Sequence, residues 1–348
     1  MSAMPLGTQL TYALTAALIL ATASHPKTMA AQTPADGPAP TPENTRVLRL
    51  DPELDSLIPA NAAPERVATG FTFTEGPEWR HNRLWFVDGP ANKLRAVTAD
   101  GHVTELLTSA SGFANFLGPN GNAPDRDGSV VMCEQDGRRV VRLTGPDEKL
   151  QVHTLFETYE GKRLNSPNDI IFAHDGSFYF TDPPYGLKGM DKSPEKELPF
   201  NGVFHYKDGK LTLVIRDLPI PNGIQLTADG KTLYVANSGP HMMYMKYPVN
   251  PDGTVGPGTM LIDFQHSEGP GVPDGMKLDS LGNLWATGPG GIRIITPQGK
   301  VLGQIKLPEV AANLNWGDAD GKTLYITASH SVYKLRTSIQ GKLPYFAE

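Results

Sequence analysis

Cysteine is almost absent from this sequence: Cys133 is the single one among 348 residues. The chain therefore cannot form an internal disulfide or a zinc site built from several thiolates. Cys133 ends the apolar run Val130–Cys133, so we expect a small buried side chain rather than a reactive thiol.

Basic clusters are also lacking, and the formal net charge is −6. Because phosphate backbones are held by grouped Lys and Arg side chains, a nucleic acid partner is not expected. The sequence has neither a Gly-x-Ser-x-Gly motif nor a glycine-rich phosphate loop between a strand and a helix, which disfavours a serine hydrolase and a nucleotide-binding protein. No long segment has helical periodicity, which argues against an α/β fold.

Long apolar runs are confined to the N-terminus. Residues 12–23 are apolar and end in the small-x-small pattern Ala21-Thr22-Ala23, which is typical of a signal peptide and too short to span a bilayer. We predict a signal peptide over residues 1–30, a Pro- and Ala-rich tether over 31–48, and one domain over 49–348. The protein is then exported, to the periplasm in a bacterium; it is cytoplasmic if the N-terminal segment is not a signal.

Turn-forming residues are abundant, with 36 Gly and 31 Pro, and they separate a recurring β-rich pattern. Six short runs of aromatic and β-branched residues share this pattern: Leu84–Val87, Val130–Cys133, Phe178–Thr181, Leu233–Ala236, Leu284–Thr287 and Leu324–Thr327. Their starts lie 46, 48, 55, 51 and 40 residues apart, a period typical of propeller blades. We predict an all-β, six-bladed β-propeller whose last blade is completed by the segment Arg66–Phe73, which closes the ring.

A polar residue precedes each run by about ten positions, where the innermost strand of the blade is expected to begin. These residues are Glu75, Asn120, Asn168, Asn222, Asp274 and Asn315. Their side chains should converge on the propeller axis, where buried polar groups need a partner. Two carboxylates with amides, and no His or Cys, predict one axial divalent cation; Ca²⁺ fits best, and Mg²⁺, Mn²⁺ or Zn²⁺ are alternatives.

The ends of the recurring runs should lie around the same mouth of the channel, because each run returns to the face on which an innermost strand begins. Asp182, Tyr185 and His330 follow such runs. We therefore predict substrate contacts from these three side chains.

Several motifs give the chain a specific resemblance to the gluconolactonase/regucalcin (senescence marker protein) family, most of all to its bacterial gluconolactonase-like members. They are Thr74–Trp79, Leu164–Asp169, Thr181–Gly186, Pro221–Gly223 and Pro273–Gly275. The resemblance covers about Arg49 to Arg336. It implies a six-bladed propeller with a single catalytic metal bound by Glu75, Asn168, Asn222 and Asp274, and it implies that Asp274 is also the acid/base or nucleophile.

The resemblance also implies an activity, namely metal-dependent hydrolysis of a lactone, with a sugar lactone such as a gluconolactone as the small-molecule substrate. Asn120 and Asn315 would orient substrate or water. No protein partner is evident. Two alternatives stay open: phosphotriesterase or aryl-esterase activity at the same metal, and a non-catalytic calcium-containing propeller that serves as a binding module.

Overall fold

The structure, a computed structural model, describes residues 38–108 and 116–342. The predicted signal peptide, residues 1–30, lies outside these ranges. Within them the chain is almost entirely β, with six antiparallel sheets of four or five strands and one short hairpin. The all-β, six-bladed β-propeller predicted from the sequence is confirmed.

Each of the first three blades is a meander of four consecutive strands. Blade 1 contains β3 (Thr74–Arg80), β4 (Arg83–Asp88), β5 (Lys93–Val97) and β6 (Val103–Thr108). Blade 2 contains β7 (Pro119–Pro124), β8 (Val130–Glu134), β9 (Arg139–Thr144) and β10 (Gln151–Phe156). Blade 3 contains β13 (Ile170–Phe172), β14 (Phe178–Asp182), β15 (Gly202–Lys207) and β16 (Lys210–Ile215).

The last three blades include the two strands that precede blade 1 in the chain. Blade 4 contains β17 (Pro221–Leu226), β18 (Thr232–Asn237), β19 (Met243–Pro248) and β20 (Thr259–Asp263). Blade 5 contains β21 (Met276–Leu278), β22 (Leu284–Gly288), β23 (Gly291–Ile295), β24 (Val301–Lys306) and β1 (Arg46–Arg49). Blade 6 contains β25 (Ala311–Gly317), β26 (Thr323–Ala328), β27 (Ser331–Arg336) and β2 (Glu65–Thr69).

Few elements lie outside the blades. The hairpin between blades 2 and 3 is formed by β11 (Thr158–Tyr159) and β12 (Lys162–Arg163). Within residues 38–108 and 116–342 there is one short α-helix, α1, at Leu54–Leu57, and single 3₁₀ turns occur at Gly89–Ala91, Asp147–Lys149 and Met190–Lys192.

The ring is closed by β2, which pairs with β27 on the outer edge of blade 6. This confirms the closure predicted for the segment that begins at Arg66. The strand β1 extends blade 5 by pairing with β24, so the ordered sheet begins at Arg46 and includes three residues that the sequence placed in the tether. Both pairings cover strand edges that would otherwise be open to other chains.

The innermost strands β3, β7, β13, β17, β21 and β25 contact one another in sequence, and β25 returns to β3. They surround the axis, while the apolar core lies between neighbouring blades. One such cluster joins blades 5 and 6 through fully buried Trp285, Ile326 and Tyr333. Each large apolar side chain buried in this way contributes about 1.5–3 kcal/mol to folding. The blades are thus held rigidly enough to position axial side chains.

Cys133 lies in such a core cluster, against Phe180 and Val140. Burial raises the pKa of its thiol, so the side chain stays protonated and unreactive. The expectation of a small core residue is confirmed. In the part of the chain that the structure describes, no helix is long and apolar enough to cross a membrane.

Candidate active site and metal centre

The axial channel opens at each end into a cavity. The cavity at the end where the innermost strands begin, here called the upper cavity, has a volume of about 390 Å³. Six of the nine side chains predicted from the sequence line it: Glu75, Asn120, Asn168, Tyr185, Asn222 and Asp274. The four proposed metal ligands are therefore brought together in one place.

Irregularities in the innermost strands coincide with these residues. The pairing of β3, β7 and β17 with the next strand shifts register between Glu75 and Glu78, between Pro119 and Asn122, and between Pro221 and Ile224. Such bulges bend a strand and re-aim a side chain. At the first of them Gly76 has φ +51°, and a Cβ there would collide with the backbone carbonyl oxygen of Asn120. Only glycine fits at this position.

The last repeat follows a different register from the one predicted. In β25 the shift lies between Ala311 and Asn313, and Leu314 pairs with Ile326 as Ile224 pairs with Val235 in blade 4. Ala312 therefore stands at the position that Asn222 occupies. The ring around the upper cavity has five polar members, and Asn315 lies three residues beyond it, at the other end of the channel.

Glu75 is 5% exposed, and its Oε2 accepts hydrogen bonds from the Gly76 N–H at 2.6 Å and from Asn313 Nδ2 at 3.0 Å. Burial raises the pKa of this carboxyl from 4.5 to about 7; the Asp169 charge adds to the rise, and the two hydrogen bonds and Lys277 oppose it. The charged form of Glu75 is therefore costly unless further positive charge approaches it.

Asp274 is the second carboxylate of the upper cavity. Burial raises its pKa well above the ordinary value, and the charges of Glu75 and Asp169 add to the effect. Two buried carboxylates whose charges repel each other are stable in ionised form only with a cation between or beside them.

Asn222 supplies an oxygen that no protein group satisfies. Its Nδ2 donates to Ser238 Oγ at 2.9 Å and to the Tyr185 hydroxyl at 3.3 Å. Those bonds fix the amide orientation, and within the described residues the buried Oδ1 has no hydrogen-bond partner. A buried acceptor of this kind in a cavity wall is free to coordinate a ligand.

The remaining amides of the ring also face the cavity. Asn168 is anchored by its backbone, whose N–H donates to the Thr181 carbonyl and whose carbonyl accepts from the Gly121 N–H, each at 2.8 Å. The side chains of Asn120 and Asn168 make no hydrogen bond with any residue in the described ranges. Both are therefore available to a ligand in the upper cavity.

This donor set fits one hard divalent cation. Residues 38–108 and 116–342 contain no cluster of three or more His, Cys, Asp or Glu side chains placed to bind a metal. The upper cavity is of another kind, since it combines two carboxylates with amide oxygens. Oxygen-only sets of this type favour Ca²⁺ over softer metals.

Two of the predicted substrate contacts lie away from the upper cavity. Asp182 is fully buried and accepts backbone hydrogen bonds from Asn165 at 2.8 Å and Ser166 at 2.7 Å. It thus fixes the loop that leads to Asn168. His330 does not line the cavity either; its Nδ1 lies 2.9 Å from the Phe71 carbonyl oxygen.

Other side chains of the cavity were not identified from the sequence. Gln135 and Asp136 follow β8 and line the wall, and Ser238 follows β18 and orients Asn222. The expectation that predicted Tyr185 also applies to these three residues, because residues that follow the second strand of a blade lie around the opening of the upper cavity. Phe73 and Val272 add an apolar rim.

Comparison with known proteins gives a consistent result. Residues 73–330 match the family model described as the SMP-30/gluconolactonase/LRE-like region. A gluconolactonase of Zymomonas mobilis is 36% identical over 316 residues, which cover 85% of this chain and 87% of that protein. The pentonolactonase XacC of Haloferax volcanii is 26% identical over 273 residues, 76% of this chain and 84% of that protein. The structure of a gluconolactonase from Xanthomonas campestris superimposes with a TM-score of 0.74 at 29% identity, covering 88% of this chain and 98% of that one.

Proposed function

The chain belongs to the SMP-30/gluconolactonase/LRE-like family, and from this premise we propose that it is a metal-dependent lactonase acting on a sugar lactone such as a gluconolactone. One observation carries the proposal: two carboxylates with raised pKa values, the buried Glu75 and the partly buried Asp274, share a cavity with Asn222, whose buried amide oxygen has no partner within the described residues. The lactonases of Zymomonas and Haloferax support the choice of a lactone as substrate.

Four residues would hold the cation: Glu75, Asn168, Asn222 and Asp274. The two carboxylates neutralise a double positive charge, and the amides add oxygen donors without further charge. Asn313 and Ser238 support them, since Asn313 donates to Glu75 and Ser238 accepts from Asn222. We propose Ca²⁺ as the ion.

A bound divalent cation supplies Lewis-acid activation of the lactone carbonyl. Asp274 would supply the base or the nucleophile that the reaction also requires. Its carboxylate takes a proton from the attacking water molecule, or it attacks the carbonyl carbon itself and is released by water in a second step. In both cases the ring C–O bond breaks, the leaving ring oxygen receives a proton that originates from the water molecule, and the product is a single hydroxy acid, which ionises to the carboxylate.

Substrate orientation falls to polar groups of the wall. Asn120 faces the cavity with an unpaired amide, and Asp136 and Gln135 lie on the same wall. Amide and carboxylate side chains bind the hydroxyls of a sugar lactone by accepting and donating hydrogen bonds. Phe73 and Val272 limit the access of water around the ring.

The activity is tested on one purified sample with three substrate classes: sugar lactones, aliphatic lactones and phosphotriesters. We expect hydrolysis of the sugar lactone, above the uncatalysed rate, to have the highest kcat/KM. Preferential hydrolysis of the phosphotriester or an aryl ester would replace the proposal by the alternative that uses the same metal, and absence of any turnover would favour a binding module.

Glu75→Gln is expected to lower Ca²⁺ affinity, because it removes one of two neutralising charges. Substitution of a residue that hydrogen-bonds to a metal ligand typically lowers metal affinity by about 10–100-fold. Loss of the charge of a ligand itself should therefore lower Ca²⁺ affinity at least about tenfold. Calorimetric titration measures it. Glu78→Gln is the matched control: the same residue type on the same strand, also buried, but outside the ring. Equal affinities for wild type and Glu75→Gln would rule out Glu75 as a ligand.

The stability of the metal-free protein is expected to fall as pH rises through about 7. Because the pKa of Glu75 is raised from 4.5 to about 7 by folding, its stabilising contribution is complete below pH 4.5 and is lost above pH 7. A rise of this size corresponds to about 3 kcal/mol. Glu78 and Asp182, with pKa values also raised to about 7 by burial, act in the same direction.

Chemical denaturation near pH 5 and pH 8 measures this dependence. Glu75→Gln should be less sensitive to pH than the wild type, and added Ca²⁺ should restore wild-type stability at the higher pH. An unchanged pH dependence in Glu75→Gln would contradict the assignment of a raised pKa to this residue.

A further inference from the structure

The opposite end of the channel opens into a second cavity of about 260 Å³, here called the lower cavity. The residues that matter for its chemistry are Glu78, Asn122, Gln225, Lys277, Trp79 and Trp316. No function assigned so far uses this end of the propeller.

The lower cavity has a ring of its own. Glu78, Gln225 and Lys277 each pair with the second residue of a recurring run, namely Trp85, Tyr234 and Trp285. Each also follows a member of the upper ring by three residues, so the same strands carry both rings. Ala123 and Ile171 occupy this level in blades 2 and 3, which leaves polar groups on one side of the ring and apolar ones on the other.

Two side chains lie between the cavities. Asp169 and Asn313 line neither cavity, and they stand beside Gly121 and Gly275, where a Cβ would collide with them. Asn313 bonds to Glu75 at 3.0 Å. A small molecule in the lower cavity is therefore separated from the upper one and occupies a distinct site.

Two amide side chains of the lower cavity are only partly hydrogen-bonded within the described residues. Asn122 is 8% exposed, and its buried Oδ1 has no partner there. Gln225 is 3% exposed; its Oε1 accepts from the Leu226 N–H at 2.8 Å, while its Nε2 has no hydrogen bond to the residues of the described ranges. An unsatisfied buried group such as Asn122 Oδ1 costs about 1–3 kcal/mol, so a ligand that donates a hydrogen bond to it is favoured.

Two oppositely charged side chains of the cavity, Glu78 and Lys277, are not paired with each other. Glu78 is 7% exposed, and one of its oxygens accepts from Asn315 Nδ2 at 2.8 Å. Lys277 Nζ donates to the Met276 carbonyl at 3.2 Å. No ion pair joins Glu78 and Lys277; burial raises the pKa of Glu78, and the Lys277 charge opposes this rise only in part. An acid and a base that face one cavity without contact leave room for a ligand between them.

Aromatic side chains supply the remaining wall. Trp79 is stacked on Tyr325, with ring centroids 5.0 Å apart, and Trp316 donates its indole N–H to the Leu278 carbonyl at 2.8 Å. Both rings are thus held in fixed orientations. Rigid aromatic faces beside alternating donors and acceptors suit a ligand with an apolar face and hydroxyls at its edge.

We propose that the lower cavity is a second binding site, for a neutral polyhydroxylated molecule of about monosaccharide size, such as an aldose. Hydroxyls can donate to Glu78 and Asn122 and accept from Gln225 and Lys277 at the same time. The lining combines two acidic residues, Glu78 and Asp318, with two basic residues, Lys277 and Lys342, so neither an anion nor a cation is favoured. The proposal does not rest on lactone hydrolysis, because the residues of the two sites are different.

The test uses D-glucose, which has no lactone bond to hydrolyse, with the full-length protein and ligand-observed NMR. We expect saturable binding to the wild type. Lys277→Met and Gln225→Met each remove one hydrogen-bonding group at nearly constant volume, and each should weaken binding at least about tenfold, the effect of about 1.4 kcal/mol. Asn120→Ala, in the upper cavity, is the matched control and should bind D-glucose as the wild type does.

Two measurements keep the result interpretable. Circular dichroism establishes that each variant is folded, and two independent lower-cavity variants guard against the failure of one. D-Gluconate is titrated in parallel. The proposal is overturned if D-glucose does not bind saturably, if binding is lost in Asn120→Ala but not in the lower-cavity variants, or if D-gluconate binds more tightly and depends on Lys277, which would make this an anion site.

Discussion

Asp274→Ala is expected to lower the turnover of a sugar lactone by about 10³-fold or more while the propeller stays folded. The residue combines two roles in the proposed mechanism, as a charged metal ligand and as the base or nucleophile. Because burial and the charge of Glu75 both disfavour the ionised form of Asp274, removal of its carboxyl relieves an unfavourable interaction in the metal-free protein. When wild type and Asp274→Ala are compared without Ca²⁺, the loss of activity should therefore not be accompanied by a loss of thermal stability.

Asp274→Asn separates the two roles of the residue. The amide keeps an oxygen donor but cannot take a proton, so residual Ca²⁺ binding with little turnover is the expected result. Asp136→Asn is the matched control, because Asp136 lines the same cavity but does not belong to the ring; it should raise KM more than it lowers kcat. Turnover at the wild-type rate in Asp274→Ala would exclude the mechanism.

Isotopically labelled water tests Asp274 as the nucleophile. Attack by Asp274 on the lactone carbonyl carbon forms a mixed anhydride, and water that opens this anhydride at the Asp274 carboxyl carbon leaves label in that carboxyl group, which mass spectrometry of the corresponding peptide detects. If Asp274 acts as a base, or if water opens the anhydride at the substrate carbon, label appears only in the product acid.

Removal of divalent cations by a chelator is expected to reduce lactone hydrolysis to the uncatalysed rate, and excess Ca²⁺ should restore it. Without a cation the lactone carbonyl is not activated, and burial raises the pKa values of Glu75 and Asp274, which disfavours the ionised carboxylates that the reaction requires. A ligand present at 100 times its Kd stabilises the folded state by about 2.7 kcal/mol, so chelation should also lower Tm.

The control for chelation is the circular dichroism spectrum, which should show that the metal-free propeller is folded. Undiminished turnover in the presence of chelator would contradict a metal-dependent mechanism. Restoration by Mg²⁺ or Zn²⁺ but not by Ca²⁺ would retain the mechanism and correct the identity of the ion.

Much of the fold was predictable because a propeller repeats its signals. Each recurring run became the second strand of a blade, and the segment beginning at Arg66 closed the ring. The role of β1 was not predictable, because residues 46–49 carry no turn signal and only the open edge of β24 gives them a partner. The formation of β1 as a strand therefore depends on its pairing with β24 in the folded protein and not on local strand propensity.

Five of the six ring positions were placed by spacing alone, because each precedes a recurring run by 9 to 11 residues. The prediction of the sixth position was wrong because β25 shifts register between Ala311 and Asn313. The amino-acid sequence of the strand does not reveal this irregularity. A bulge changes which side chain faces the axis without changing the residue types involved. The same ambiguity assigned Asn315 to the upper ring, although it belongs to the lower one.

The contacts around the mouth were predicted less well than the ring. Tyr185 lies in the upper cavity, whereas Asp182 is turned inward to accept backbone hydrogen bonds from Asn165 and Ser166. A sequence gives the position of a loop residue along the chain but not whether its carboxylate faces a cavity or its own backbone. Gln135, Asp136 and Ser238 do not belong to a distinctive sequence motif, so only the structure identified them as residues near the upper cavity.

A crystal structure of the protein grown with Ca²⁺ tests the central claim most directly. We expect a single ion in the upper cavity, with oxygens of Glu75, Asn168, Asn222 and Asp274 at about 2.3–2.6 Å from it. An ion bound elsewhere, or an ion in this cavity without Glu75 and Asp274 among its ligands, would contradict it.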